Sequence, residues 1–196
     1  MVFSRPLYGS PRPFQRGTKR LFDIVTATMG LLILSPMIPL VSLAIKLDSR
    51  GPIFSVQIQH SYGNKIIRVL RFRNSFIQPD QRESSLTRIG RVLSWTGIEG
   101  LPMLVNVLRG EMSIVGPCLY ATTPGLLNKH ILGLNELKPG LTGWAQVRAS
   151  AKHETSHARR QQVEDDLFYI ENWSLRFDAR IIIMMLLSKR SYVVNS

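Results

Sequence analysis

Positions 24–45, IVTATMGLLILSPMIPLVSLAI, carry no charged side chain. At roughly 1.5 Å per residue, a straight helix of this length just crosses the hydrocarbon layer of a membrane. Ser35-Pro36 interrupts the run at its middle, with Pro39 close behind. A proline removes a helical donor and collides with the preceding turn, so a sharp bend is expected there. The carbonyl freed by the bend needs a donor, and the Ser35 hydroxyl is a local candidate. From residue 49 the pattern changes. Strand-like pieces at 53–58 and 66–72 flank the turn signal Tyr62-Gly63-Asn64 and predict a β-hairpin. Leu101, Leu104, Val105, Leu108 and Met112 follow helical spacing, and Arg109-Gly110 supplies a stop. Gly116-Pro117 and the run Lys138-Pro139-Gly140-Leu141-Thr142-Gly143 predict a loop with defined turns, whose exposed amides could cradle phosphate. Residues 163–173 read as helix. Residues 181–187 are apolar but too few to span a bilayer, and fit either the membrane interface or the core.

Charge decides how the apolar run is placed. The chain has 196 residues, one domain's worth with room for a core, and a formal net charge of +12. Its single cysteine, Cys118, excludes an internal disulfide framework. So basic a chain implies anionic partners: nucleic acid, acidic lipid headgroups or phosphorylated substrates. The basic residues are scattered and form no nucleic-acid-binding motif, which argues against nucleic acid. Arg12, Arg16, Lys19 and Arg20 precede the apolar run; Lys46 and Arg50 follow it. Positive flanks stay on the cytoplasmic side, so a helix–bend–helix hairpin that dips in and returns reconciles both ends better than a spanning helix. A signal peptide fits less well, because the run is long and no A-x-A-like cleavage site follows. A buried helix of a soluble protein is the other alternative, though a charge-free stretch of this length is rare there. The organisation expected is a disordered basic arm on anionic headgroups (1–18), a re-entrant membrane helix hinged at Ser35 and Pro36 (19–49), and a body (50–196).

No HExxH, P-loop, nucleophile elbow or paired CxxC is present, and His60, His130, His153 and His157 lack a partner set. His153 and His157, at i,i+4, read as exposed polar residues in preference to metal ligands. An ordered series of segments carries more information. Lys19-Arg20-Leu21-Phe22-Asp23 leads into the apolar run with its central Ser35-Pro36. Gly51-Pro52-Ile53-Phe54, Arg71-Phe72-Arg73, Leu101-Pro102, Asn106-Val107-Leu108-Arg109-Gly110 and Met112-Ser113-Ile114-Val115-Gly116-Pro117 come next. Lys138 to Val147 (KPGLTGWAQV) and Tyr169 to Leu175 (YIENWSL) complete it. In this order and spacing the chain resembles the bacterial sugar transferase family, the monotopic polyprenyl-phosphate phosphoglycosyl transferases that initiate exopolysaccharide and O-antigen synthesis. The resemblance implies a helix-dominated α/β fold: the re-entrant helix hairpin plus a compact cytoplasmic domain with a small β-hairpin and interfacial helices. It also implies transfer of a sugar-1-phosphate from a UDP-sugar to undecaprenyl phosphate (a polyprenyl phosphate) with release of UMP. Mg²⁺ and a covalent phospho-sugar intermediate on an aspartate belong to that implied chemistry. So does a place on the cytoplasmic face of the bacterial inner membrane, among anionic lipids and alongside further copies or other glycan-assembly enzymes.

The sequence departs from the family where that chemistry would sit. The Asp-Glu pair before Leu-Pro is replaced by Glu99 and Gly100, so the nucleophile position holds a longer carboxylate and the metal-ligand position holds no side chain. Gln59 and Cys118 each stand where the family has an arginine, and the segment after Arg71-Phe72-Arg73 reads Asn74-Ser75. Thr96-Gly97-Ile98-Glu99 also fits a capping box, with Glu99 serving the backbone instead of the chemistry. The site expected from the resemblance is Glu99 as the catalytic carboxylate, with Arg71, Arg73 and Arg109 as phosphate-binding candidates. For each arginine an exposed, solvated charge is the competing reading. The departures leave two functional readings: a working transferase, or a catalytically impaired member acting as a membrane-bound binding or partner protein.

Overall fold

The computed structural model describes residues 13–60, 65–76, 85–118, 137–148 and 156–187. The expected basic arm up to residue 12, the hairpin turn at 62–64, His130 and His153 lie outside these residues. Helices α1 (Pro13–Leu34) and α2 (Met37–Asp48) meet at a 62° bend centred on Ser35-Pro36. Pro36 has no N–H for the Leu32 carbonyl, and the Ser35 hydroxyl donates to that carbonyl instead, at 2.9 Å. No single helix among the described residues is long and apolar enough to cross a membrane; only the bent pair together meets that requirement. Helix α1 begins at Pro13, not at residue 19, so the last part of the expected arm is helical. Proline suits a first helical turn because no donor is needed there. Lys19 and Arg20 in the next turns are held by the body, and that tertiary contact stabilises a segment without apolar periodicity.

The hairpin forms as expected. Strand β1 (Phe54–His60) pairs antiparallel with β2 (Ile66–Phe72), Phe54 facing Phe72 and His60 facing Ile66. Helix α3 (Arg88–Thr96) opens on Thr87, whose Oγ1 accepts the Gly90 N–H at 2.8 Å. A 3-10 turn (Ile98–Gly100) leads to α4 (Met103–Arg109), which ends at Gly110 with φ 82°. Helix α5 (Trp144–Arg148), α6 (Ser156–Glu171) and α7 (Leu175–Leu187) complete the chain.

The segment around 138–143 is not the open loop expected. Strand β3 (Ser113–Val115) lies parallel to β4 (Gly140–Thr142), with Ser113 facing Gly140 and Val115 facing Thr142. Gly116 N–H bonds to Thr142 O at 2.9 Å, and Gly140 N–H to Pro117 O at 3.0 Å. These amides join the two segments and are not free to cradle a phosphate. Glycine makes the pairing possible, because a Cβ at Gly140 would collide with the Gly116 backbone.

Strand β2 separates two apolar clusters. Its Ile67 and Val69 join Ala27 of α1, Met103, Leu104 and Val107 of α4, Val115, Tyr169 and Ile181. Its Phe72 joins Val41 and Ile45 of α2 and Leu93 of α3. Within residues 181–187 Ile181 is fully buried in the core, whereas Leu186 and Leu187 are exposed. Arg20 closes α4, its two Nη atoms donating to the carbonyls of Val107 at 2.6 Å and Leu108 at 2.7 Å. The Val107 carbonyl also accepts the Gly110 N–H at 2.9 Å, so Arg20 adds a second donor there and supplies one to Leu108 at the helix end. Arg20→Met removes two charge-assisted bonds and is expected to lower unfolding stability by about 1–3 kcal/mol, measurable by chemical denaturation of the detergent-solubilised chain. An unchanged midpoint would show that the cap contributes nothing.

Candidate functional site

Glu99 sits in the 3-10 turn between α3 and α4. Gly97 makes this turn by ending α3 in the left-handed region at φ 72°, where any side chain would be strained. The capping box does not form. Thr96 is the last residue of α3, and its Oγ1 donates back to the Val92 carbonyl at 2.8 Å. The left-handed Gly97 redirects the chain after Thr96, and Glu99 finds side-chain donors instead. Its Oε2 accepts from Asn74 Nδ2 at 2.7 Å and from Ser94 Oγ at 2.6 Å. Asn74 is fixed in turn by close approach of α3: Thr87 N–H bonds to its carbonyl at 3.0 Å, and a Cβ on Gly90 would collide with that carbonyl. Glu99 is only 2 % exposed, and its other oxygen, Oε1, is enclosed without a hydrogen-bond partner.

Arg71 lies close enough to Glu99 to feel its charge. Burial pushes the Arg71 guanidinium pKa down, and the Glu99 carboxylate opposes that shift. The residue is 6 % exposed, so the solvated reading does not hold, and its Nε has no hydrogen-bond partner. Arg71 and Glu99 are the expected site residues that come near enough to interact electrostatically, both buried, with no ion pair joining them. Arg73 is buried as well but faces elsewhere. Its Nη1 donates to Arg50 O at 2.8 Å, and its Nη2 to Ser49 O at 2.9 Å and Ser49 Oγ at 2.6 Å. These bonds tie the end of β2 to the exit of α2. Arg109 is exposed at the far end of α4 from the turn that holds Glu99.

The two other departures also have definite places. Gln59 points inward, its Nε2 donating to Gln57 Oε1 at 3.3 Å. Cys118 is buried; its backbone N–H donates to Asp166 Oδ2 at 2.9 Å, and burial followed by the Asp166 charge raises its thiol pKa well above the ordinary range. A thiol held neutral in this way takes over none of an arginine's grip on phosphate.

The Mg²⁺ implied by the resemblance needs several hard oxygen ligands in near-octahedral geometry. Glu99 has one oxygen committed to Asn74 and Ser94, Gly100 offers none, and the neighbouring charge is a guanidinium. Among the described residues no group of three His, Cys, Asp or Glu side chains could hold a metal ion. These residues do not fit Mg²⁺.

Reading by sequence passes over Asn74 and Ser94, which hold the carboxylate, and treats Asn106 only as part of a motif. Asn106 accepts the Leu70 N–H at 3.2 Å and donates to the Arg68 carbonyl at 2.8 Å and to Glu111 Oε2 at 2.6 Å. It thereby locks β2 to α4 and sets the distance between Arg71 and the turn. An asparagine inside a helix is the available signal, since it disfavours that position unless its amide has a task.

Comparison with known proteins agrees with this arrangement. Residues 14–189 match the family model described as bacterial sugar transferase. The chain is 36% identical over 194 residues to the UDP-glucose:undecaprenyl-phosphate glucose-1-phosphate transferase of Escherichia coli (strain K12), covering 91% of this chain and 42% of that protein. It is 38% identical over 183 residues to the undecaprenyl-phosphate glucose phosphotransferase of Komagataeibacter xylinus, covering 85% of this chain and 34% of the relative. The exopolysaccharide production protein PSS of Rhizobium leguminosarum bv. phaseoli is 35% identical over 181 residues, with 84% of this chain and 90% of that protein covered. The chain thus spans less than half the length of the first two relatives and most of the third. With a family-model match over residues 14–189 and relatives at 35–38% identity, the chain belongs to the bacterial sugar transferase family.

Proposed function

We propose that this chain transfers a sugar-1-phosphate from a UDP-sugar to undecaprenyl phosphate at the cytoplasmic face of the bacterial inner membrane, as a first step in exopolysaccharide or related glycan synthesis. The observation that carries the proposal is the family match and relatives named for this reaction, with the buried Glu99 carboxylate at the turn before α4 and the buried Arg71 guanidinium within its electrostatic reach. Glu99 Oε1 would attack the sugar-bearing phosphorus, and the bond from that phosphorus to the UMP oxygen would break, UMP leaving with the electron pair. A phosphate oxygen of undecaprenyl phosphate would then attack the same phosphorus and free the carboxylate. Arg71 offsets the repulsion between carboxylate and diphosphate.

The outer face of the N-terminal helices supports the membrane placement. Leu21, Val25, Met29 and Leu32 form an exposed stripe on α1, and Leu40, Leu43 and Leu47 are exposed on α2. Apolar stripes facing outward on both arms of a 62° bend, with basic flanks at both ends, support a re-entrant hairpin in the cytoplasmic leaflet. A site beside such a hairpin lies at the depth of a lipid phosphate.

The grip of Asn74 and Ser94 on Glu99, with Gly100 beside it, favours a second reading: a member that binds its ligands, or pairs with an active enzyme, without turnover. The purified protein with UDP-sugar and undecaprenyl phosphate separates the two readings. Release of UMP that Glu99→Ala abolishes is the expected result for the transferase. Ligand binding with no release above that control would establish the second reading.

A further inference from the structure

Strand β1 of the hairpin is inside out. In β1 the polar residues Ser55, Gln57 and Gln59 face inward, Gln59 being buried, while Val56 and Ile58 are 56% and 61% exposed. Ile66, across from His60 on the outward side of β2, is 66% exposed. An antiparallel sheet with one wet face ordinarily shows that face polar residues. Here Val56, Ile58 and Ile66 sit on the outer face, although β2 also buries Ile67 and Val69 on the inner one.

This outer face continues into the surface of the bent helix pair. Phe72 belongs to it and is sunk between Val41 and Ile45 of α2 and Leu93 of α3, while Phe54 stacks on Phe72 with ring centroids 5.4 Å apart. Beside that contact, α2 exposes Leu43 and Leu47, and α3 exposes Val92 and Trp95. The rim is basic. Residues 49–76 contain Arg50, Lys65, Arg68, Arg71 and Arg73 and no Asp or Glu, and Arg50, Lys65 and Arg68 are exposed.

We infer that the outer face of the hairpin is a second membrane contact, lying in the headgroup and upper acyl region of an anionic leaflet. Val56, Ile58 and Ile66 dip among the acyl chains while Arg50, Lys65 and Arg68 meet lipid phosphates. An apolar face with a cationic rim matches such a surface. The inference rests on the membrane placement proposed for α1–α2. It adds that the sheet is anchored too, so Arg71 on its inner face is held at a fixed height above the lipid phosphates.

The test uses the full chain reconstituted into phosphatidylethanolamine/phosphatidylglycerol vesicles with brominated acyl chains. An environment-sensitive fluorophore is attached in turn at Val56→Cys, at Leu32→Cys on α1, and at Arg160→Cys on the exposed side of α6. The parent chain serves as labelling control, because Cys118 is buried. Blue-shifted emission with loss of most of its intensity at Val56→Cys and Leu32→Cys, but not at Arg160→Cys, is the expected result. Quenching at Leu32→Cys without quenching at Val56→Cys would overturn the hairpin contact and leave the anchor standing. Quenching at neither would overturn both. A blue shift at Val56→Cys that grows with protein concentration and ignores bromine would assign the face to a second copy of the chain and so overturn the inference.

Discussion

Glu99→Asp combined with Gly100→Glu is expected to raise UMP release by on the order of a hundredfold over the parent chain. The first change shortens the attacking carboxylate by one methylene and withdraws it from Asn74 and Ser94, which hold Oε2 at 2.7 and 2.6 Å. A side chain one methylene too long carries its oxygen roughly an ångström from the line of attack, and errors of about that size are enough for a loss on this scale. The second change restores a carboxylate next to it. Position 100 can accept one: a Cβ there meets only Leu141 Cδ1 at 3.5 Å and Met103 Sδ at 3.6 Å, both ordinary contacts, and the backbone is not in the left-handed region. Gly100→Glu alone should give part of the gain. Glu99→Asp alone should give little, because the shortened side chain loses two hydrogen bonds without gaining a neighbour. Chelation of divalent cations should cancel the gain in the double variant and leave the parent's release unchanged, since the parent's donor set does not suit Mg²⁺. A folded double variant with no increase would move the cause away from the turn, to Gln59 and Cys118, neither of which carries a charge that could hold a diphosphate.

The family was legible because its motifs are scaffold, and the departures stood out against them. The bend at Ser35-Pro36 and its hydroxyl partner followed from the chemistry of one proline, with no tertiary information needed. The hairpin was legible as a period-two pattern with a turn, but not which of its faces turns inward. Alternation fixes the faces relative to one another; only the partners of β2 in α4 and α2 decide which is buried. The β3–β4 pair was hidden for a similar reason. Strands of three residues each are too short to carry a periodic signal, and their pairing joins segments far apart in the chain. Arg71 and Arg73 looked equivalent two positions apart. Arg71 lies on the inner face of the strand beside the carboxylate turn, whereas Arg73 follows the strand and folds onto the carbonyls of Ser49 and Arg50. The holders of Glu99 were not legible at all, because Asn74 and Ser94 meet it only after α3 packs against the strand exit.

Asp178→Ala is expected to destabilise the chain by about 3–5 kcal/mol, the range for removing one partner of a buried ion pair. Asp178 is fully buried and accepts from Lys19 Nζ at 2.8 Å, Tyr169 Oη at 2.8 Å and Trp173 Nε1 at 3.2 Å. Lys19 also lies 3.7 Å from Asp23, which in turn accepts from Ser113 Oγ at 2.9 Å and from the Ile114 N–H at 3.1 Å. The cluster therefore fastens the first turns of α1 to β3, α6 and α7 through side chains that water cannot replace. Burial, then the Asp178 charge, keep the Tyr169 phenol pKa well above its ordinary range, so the hydroxyl stays a donor. Alanine removes the acceptor shared by the three donors. The Tyr169 hydroxyl keeps the Val115 carbonyl at 3.1 Å and Lys19 keeps Asp23 at 3.7 Å, while the Trp173 indole N–H loses its Asp178 acceptor and carries a desolvation penalty. Asp178→Asn keeps an acceptor of the same shape and should lose less. The pair Lys19→Met with Asp178→Leu should recover part of the alanine loss, since it removes the ammonium left without Asp178, while buried Asp23 keeps its Ser113 and Ile114 donors but loses the Lys19 charge. Denaturant unfolding of the four proteins in one detergent reads the order directly. If alanine and the parent unfold together, the network does not hold α1 to the body. If the double variant is no better than alanine alone, shape rather than charge sets the loss. With the network broken, α1 is free to change its angle to the body.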